Sequence, residues 1–288
     1  MVTRDRLRIS DSSINLGGFQ MGNIIDYSKA TPIVLHMLSG GRDSFLAAAL
    51  LIEQGYTVEM ITFDNGHIDG IERVSTVASW LKERYPKEKI KYLEPVKTGM
   101  MLHSYMLKEW YRKSEERDRL FPELQTYQAH CLACKTAMYV HSIAYCVAYK
   151  IPCLSEGARK QQGFFVELPD MKERFEQLCR ENGIELLWPV YDLESDLDRK
   201  RLLNDRGLST KTLEPQCYLG CPLRQPLTKE ERRDLCRYYD SELYPRLQKD
   251  IDSLIPTKRI SGRSEDSAAI NAFDHFHTQE SSLCKKPL

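Results

Sequence analysis

Two sets of residues in this 288-residue chain have the types and spacing to do chemistry. The first is Ser39-Gly40-Gly41-Arg42-Asp43-Ser44, directly after the apolar run Pro32 to Leu38 and directly before FLAAALLIEQ. A helix that starts there presents unpaired N–H groups and a partial positive charge, which stabilise an anion. Gly40 and Gly41 allow backbone angles closed to other residues and let the chain approach a phosphate without a Cβ clash. Ser39 and Ser44 add hydroxyl donors, and Asp43 suits N-capping or holding a nucleotide's Mg2+. The string is neither a Walker loop nor a dinucleotide Gly-x-Gly-x-x-Gly. The second set is cysteines: Cys131 and Cys134 in a CxxC expected to open a helix, then Cys217 and Cys221. Three readings fit this spacing. Cys131, Cys134 and Cys217 could hold a 4Fe-4S cluster with one open iron; all four could close a tetrahedral zinc site; or the thiols could carry sulfur without metal. A helix start would also favour the thiolate form.

The elements that must position these residues alternate between strands and helices. Strands are expected at Pro32–Leu38, Thr57–Phe63, Ile90–Leu93, Ile151–Glu156 and Ile184–Tyr191. Helices are expected at about Asp43–Gln54, Ile71–Tyr85, Cys134–Lys150, Met171–Asn182 and Leu197–Asp205, with one or two more in Thr228–Ile255. The alternation predicts an α/β fold, a doubly wound parallel sheet with a small C-terminal helical extension. The expected organisation is a flexible arm at 1–30, a catalytic domain at 31–225, a helical segment at 226–255 and a disordered tail at 256–288. Lys+Arg and Asp+Glu are 41 each, so no global positive field steers nucleic acid. The opening lacks the apolar core of an export signal, and the uncharged stretch Thr136 to Tyr149 is too short to cross a bilayer. Nine cysteines in such a chain point to the reducing cytoplasm.

SGGRDS after a strand resembles the SGGxDS signature of the PP-loop ATP pyrophosphatases, a Rossmann-like superfamily that includes tRNA thiolation enzymes. The resemblance implies cleavage of ATP between its α and β phosphates, transfer of AMP to a substrate oxygen, and pyrophosphate held by Ser39, Gly40, Gly41, Arg42 and Ser44. It places adenosine at the Phe63-Asp64 strand end and a closing small-residue segment at Gly157. Asp43, Arg159 and Lys160 are then the expected catalytic charges. The order CxxC, fourth strand, third cysteine is similar to sulfur transferases of the superfamily and favours the 4Fe-4S reading over zinc. The usual Lys-x-Glu-Ile helix opening is absent, and Cys221 is an extra ligand candidate. The expected function is ATP-dependent sulfur insertion into a tRNA base, or second into a small cofactor precursor. The expected partners are that acceptor, a sulfur donor protein or sulfide, and a second copy of the chain, with no membrane. Two other readings stand beside it: a deazaguanine-synthase-like ligase with zinc, and a non-catalytic nucleotide-binding protein.

Overall fold

The computed structural model describes residues 31–111, 114–162, 164–219 and 226–256. The expected arm, the tail beyond residue 256 and Cys221 lie outside the described residues. The strands are β1 (Ile33–Met37), β2 (Thr57–Ile61), β3 (Phe63–Asp64), β4 (Ile68–Asp69), β5 (Ile90–Tyr92), β6 (Val96–Lys97), β7 (Cys153–Glu156), β8 (Glu185–Leu187) and β9 (Gln216–Cys217). The helices are α1 (Arg42–Glu53), α2 (Val74–Arg84), α3 (Gly99–Tyr105), α4 (Ser114–Leu120), α5 (Thr126–Tyr149), α6 (Pro169–Glu181), α7 (Asp196–Asp205), α8 (Lys229–Tyr238) and α9 (Tyr244–Leu254).

Five strands form one sheet in the order β5-β2-β1-β7-β8, every pair parallel. The expected doubly wound α/β fold is the fold found. Parallel strands need crossovers, and those crossovers cover both faces, so the central strand IVLHM is buried beyond its first residue. The pleat sends alternate residues to opposite faces. Val34, Val58, Met60 and Cys153 pack with α1, α2 and α7 in one core, while Leu35, Met37, Ile61 and Leu154 join α3, α5, α6, α8 and α9 in the other. From β1 the chain winds outward through β2 to β5, then returns to the other side of β1 for β7 and β8. The crevice where the winding reverses, between the carboxyl ends of β1 and β7, is where such sheets bind ligands.

Three expectations are corrected. The fifth strand ends at Leu187, because residues 188–192 turn back on themselves, with Tyr191 N–H donating to Trp188 O. The second strand stops at Ile61 and Phe63-Asp64 pairs separately with Val96-Lys97. The helix carrying the CxxC starts at Thr126 instead of Cys134. Gln125 and Gln128 form a reciprocal capping box there, with Gln125 N–H donating to Gln128 Oε1 at 2.8 Å. α5 is long and apolar enough to cross a membrane, yet two thirds of its most apolar window is buried inside the fold. Here it is the core helix of one face, packed on β1, β7, α3 and α9.

Candidate functional site

The loop after β1 is braced from within. Ser44 Oγ donates to Gly41 O at 3.0 Å and accepts from Ser39 N–H at 3.2 Å. Its single proton being used, Ser39 Oγ donates to it across 3.0 Å, and Ser39 Oγ itself accepts from Gly41 N–H at 3.2 Å. Gly40 sits at φ +78°, and a Cβ there would lie 2.9 Å from Leu213 O. The first intrahelical bond of α1 runs from Phe45 N–H to Gly41 O, so the amides of residues 42–44 head the helix. Beneath the turn, buried His36 donates from Nε2 to Ser44 O at 2.8 Å and accepts at Nδ1 from Ser155 Oγ at 3.2 Å. Burial lowers its pKa to about 4, so the ring is neutral and one proton fixes both roles.

Asp43 does not cap the helix, since Gly41 is the N-cap residue. Its carboxylate lies 2.8 Å from Arg159 Nε and 2.7 Å from Arg199 Nη1, all three side chains buried. Arg199 also meets Asp196, which lies 3.8 Å from Arg42. Two arginines therefore hold Asp43, and α7 is tied to the loop through a residue that the sequence did not single out.

A cavity of about 320 Å3 opens at the reversal point, and its lining includes Ser39, Gly41 and Asp43 together with Cys131, Cys134 and Cys217. Phe63, Ser44 and Gly157 also face it, as expected. Arg42, Asp64, Arg159 and Lys160 do not line it. Asp64 instead turns its own loop, its Oδ1 accepting from Gly66 N–H at 2.8 Å. Lys160 is exposed at the start of a short 3-10 turn. Gly157 lines the cavity because nothing larger fits: a Cβ would lie 2.4 Å from both Ser44 N and Ser44 Cα.

The cation that does face the cavity is Lys135, 2.5 Å from the buried carboxylate of Glu156. Burial works against its charge, but Glu156 and Glu167 outweigh that and push its pKa up. Glu167 answers to burial first, and its pKa rises to about 8. Neither acid stood out in the sequence, because nothing in a lone Glu signals which end of a strand it will close.

Asn65 joins the thiols. Its Nδ2 lies 3.3 Å from Cys134 Sγ and 3.9 Å from Cys217 Sγ. Cys217 arrives through the antiparallel pairing of β9 with β4, which sets it opposite Ile68. Burial pushes the Cys134 thiol up to about 11. Cys131 and Cys134 are the sixth and ninth residues of α5, beyond the first turn where the helix field would favour a thiolate. Among the described residues no three His, Cys, Asp or Glu side chains are gathered as a metal ion requires. No ready ligand set for the expected 4Fe-4S cluster is gathered among the described residues, and the zinc reading also calls on Cys221, which lies outside them.

With this geometry in view, a crystal structure of a 4-thiouridine synthetase bound to RNA and ATP superposes with a TM-score of 0.55, covering 78% of this chain and 53% of that one at 14% identity. The chain shares the fold of that synthetase. An NMN synthetase from Francisella tularensis covers 92% of the chain and 91% of its own at 13% identity, with a TM-score of 0.46. In sequence, a probable tRNA sulfurtransferase of Mycoplasmopsis synoviae (strain 53) is 34% identical over 99 residues, 32% of this chain. The chain spans 23% of that relative and 53% of the synthetase, so it matches only part of either. No family model matches.

Proposed function

We propose that this chain is an ATP-dependent sulfur transferase that activates a carbonyl oxygen of a tRNA base with AMP and replaces it with sulfur carried on a cavity cysteine. The observation that carries this reading is that one cavity holds both the glycine loop and the thiols Cys134 and Cys217. A dehydrating ligase needs the first feature and has no use for the second.

In this reading the head of α1 and the amides around Gly40 and Gly41 hold the departing pyrophosphate, and Mg2+ enters with the nucleotide. The base oxygen attacks the α phosphorus, the bond to the β-phosphate oxygen breaks, and pyrophosphate leaves. A persulfide on Cys134 or Cys217, loaded by an external persulfide donor, attacks the activated carbon, and AMP departs with the C–O electron pair. The other cysteine then attacks the sulfur–sulfur bond, leaving sulfur on the base and a Cys134–Cys217 disulfide for an external dithiol to reduce. Such thiols need a reducing compartment, which places the reaction in the cytoplasm. The residues of the reaction all fall within the proposed catalytic segment 31–225, whose core α8 and α9 complete, and a small carboxylated precursor is the second acceptor to try.

The test is pyrophosphate release from ATP with and without unmodified tRNA transcripts, followed by nucleoside analysis for thio-bases. The expected result is RNA-dependent release by the wild type, kept in Cys134→Ser and Cys217→Ser while both lose the thio-nucleoside. No nucleotide binding, or release that responds only to ammonia and a carboxylate, overturns the reading. Iron and acid-labile sulfide in anaerobic protein, lost in those variants, would replace the persulfide step with a cluster.

A further inference from the structure

Asn65 touches both thiols and has no role in the steps above. It lines the cavity and is 6% exposed. Its Oδ1 accepts from His67 N–H at 2.8 Å, which fixes the end of the amide that faces the sulfurs. Asp64, the residue before it, accepts from Gly66 N–H through Oδ1 and from Thr98 N–H through its carbonyl, each at 2.8 Å, so the loop holds the amide still. The one nitrogen Nδ2 then lies 3.3 Å from Cys134 Sγ and 3.9 Å from Cys217 Sγ, a bond and a longer contact. A buried amide has to satisfy its N–H groups, and these sulfurs are the partners given to it. The two thiols differ in reach. Cys217 is followed by Tyr218 and Leu219, 74% and 47% exposed, whereas Cys134 sits within α5, the core helix of one face.

Resting on the sulfur-transfer reading, we propose that Asn65 is a catalytic residue of its last step, holding Cys134 to Cys217 so that Cys217 carries the incoming sulfur and Cys134 resolves it. An external persulfide donor reaches Cys217 from the exposed side. Once the Cys217 persulfide has attacked the activated carbon, the base is tied to the chain through a sulfur–sulfur bond. Cys134 Sγ then attacks Cys217 Sγ, that bond breaks, and its electron pair stays with the sulfur on the base. The Cys134 proton leaves with the thio-base, and a Cys134–Cys217 disulfide remains for the external dithiol, so atoms and electrons balance. Negative charge gathers on Cys134 Sγ as its proton goes, and an N–H already aimed at that sulfur costs no reorganisation.

The experiment uses the full chain as wild type, Asn65→Asp, Asn65→Ala, Cys134→Ser and Cys217→Ser, with ATP, unmodified tRNA transcripts and cysteine persulfide as the sulfur source. Asn65→Asp keeps the oxygen that accepts from His67 and loses only the donors. Thio-nucleoside formed per pyrophosphate released is expected to fall about 10- to 100-fold in both Asn65 variants, the scale of one hydrogen bond to a charged group. RNA should instead accumulate on the protein, seen on a denaturing gel and released by dithiothreitol, in the Asn65 variants and in Cys134→Ser but not in Cys217→Ser. Thermal melting checks folding, and if neither Asn65 variant folds, the adducts of the two cysteine variants decide. An unchanged ratio in Asn65→Asp, or an RNA adduct that forms in Cys217→Ser and not in Cys134→Ser, overturns the proposal while sparing sulfur transfer. A wild type that makes no thio-nucleoside with any RNA overturns both.

Discussion

Gly157 is the position with the least room. A Cβ there would meet Ser44 backbone atoms at 2.4 Å, and backbone cannot swing aside as a side chain does. Gly157→Ala is expected to force β7 and the head of α1 apart, lowering stability by about 1–3 kcal/mol in denaturant titration and abolishing ATP binding. Lys135→Met would strand Glu156 as a buried charge, a loss of about 3–5 kcal/mol that Lys135→Met/Glu156→Gln should largely reverse. Glu167 gives a signed pH effect. Its pKa is 4.5 ordinarily and about 8 in the fold, so between those values the folded state holds a proton that the unfolded state has released. Stability should therefore fall as pH rises from about 4.5 to 8, and Glu167→Gln should flatten that slope in melts across the range. The two glycines and two serines of the loop were legible because their chemistry is local. Glu156, Asn65 and Arg199 were not, since their partners lie 21, 69 and 156 residues away in the chain.

At the scale of elements, the start of α5 decides how the thiols behave. Gln-x-x-Gln is a quieter start signal than Ser or Thr followed by Glu, so the sequence suggested a helix opening at the cysteines. By contrast Thr228 and Glu231 form a Thr-x-x-Glu capping box, and α8 begins directly after Thr228. Half-buried in the third turn of its helix, Cys134 should react slowly with iodoacetamide at pH 8, its rate climbing toward a midpoint near 11. Mass spectrometry of the alkylated peptide checks this, and a midpoint near 8.5 would contradict it. The parallel sheet was legible from strand–helix alternation; the two-residue pairings β3–β6 and β4–β9 were not, because so short a run has no period to read.

At the scale of the molecule, α8 and α9 belong to the same core as α5. Leu235, Tyr238, Tyr239, Leu243, Leu247 and Ile251 are all buried against it. Each such side chain contributes about 1.5–3 kcal/mol on burial, and a whole domain is stable by only about 5–15 kcal/mol. A chain ending at residue 226 should accordingly be insoluble or bind a hydrophobic dye, whatever nucleotide is added. The amphipathic pattern of Thr228–Ile255 announced helices, but not what they would cover. One connection links the two halves of the cavity. Leu213 N–H donates to Gly40 O at 3.1 Å, and four residues later Cys217 lies beside Asn65. In the proposed reaction the turn that would seat the nucleotide and one of the thiols that would carry sulfur are therefore tethered by a single short run of backbone, so a change at one end has a direct covalent route to the other.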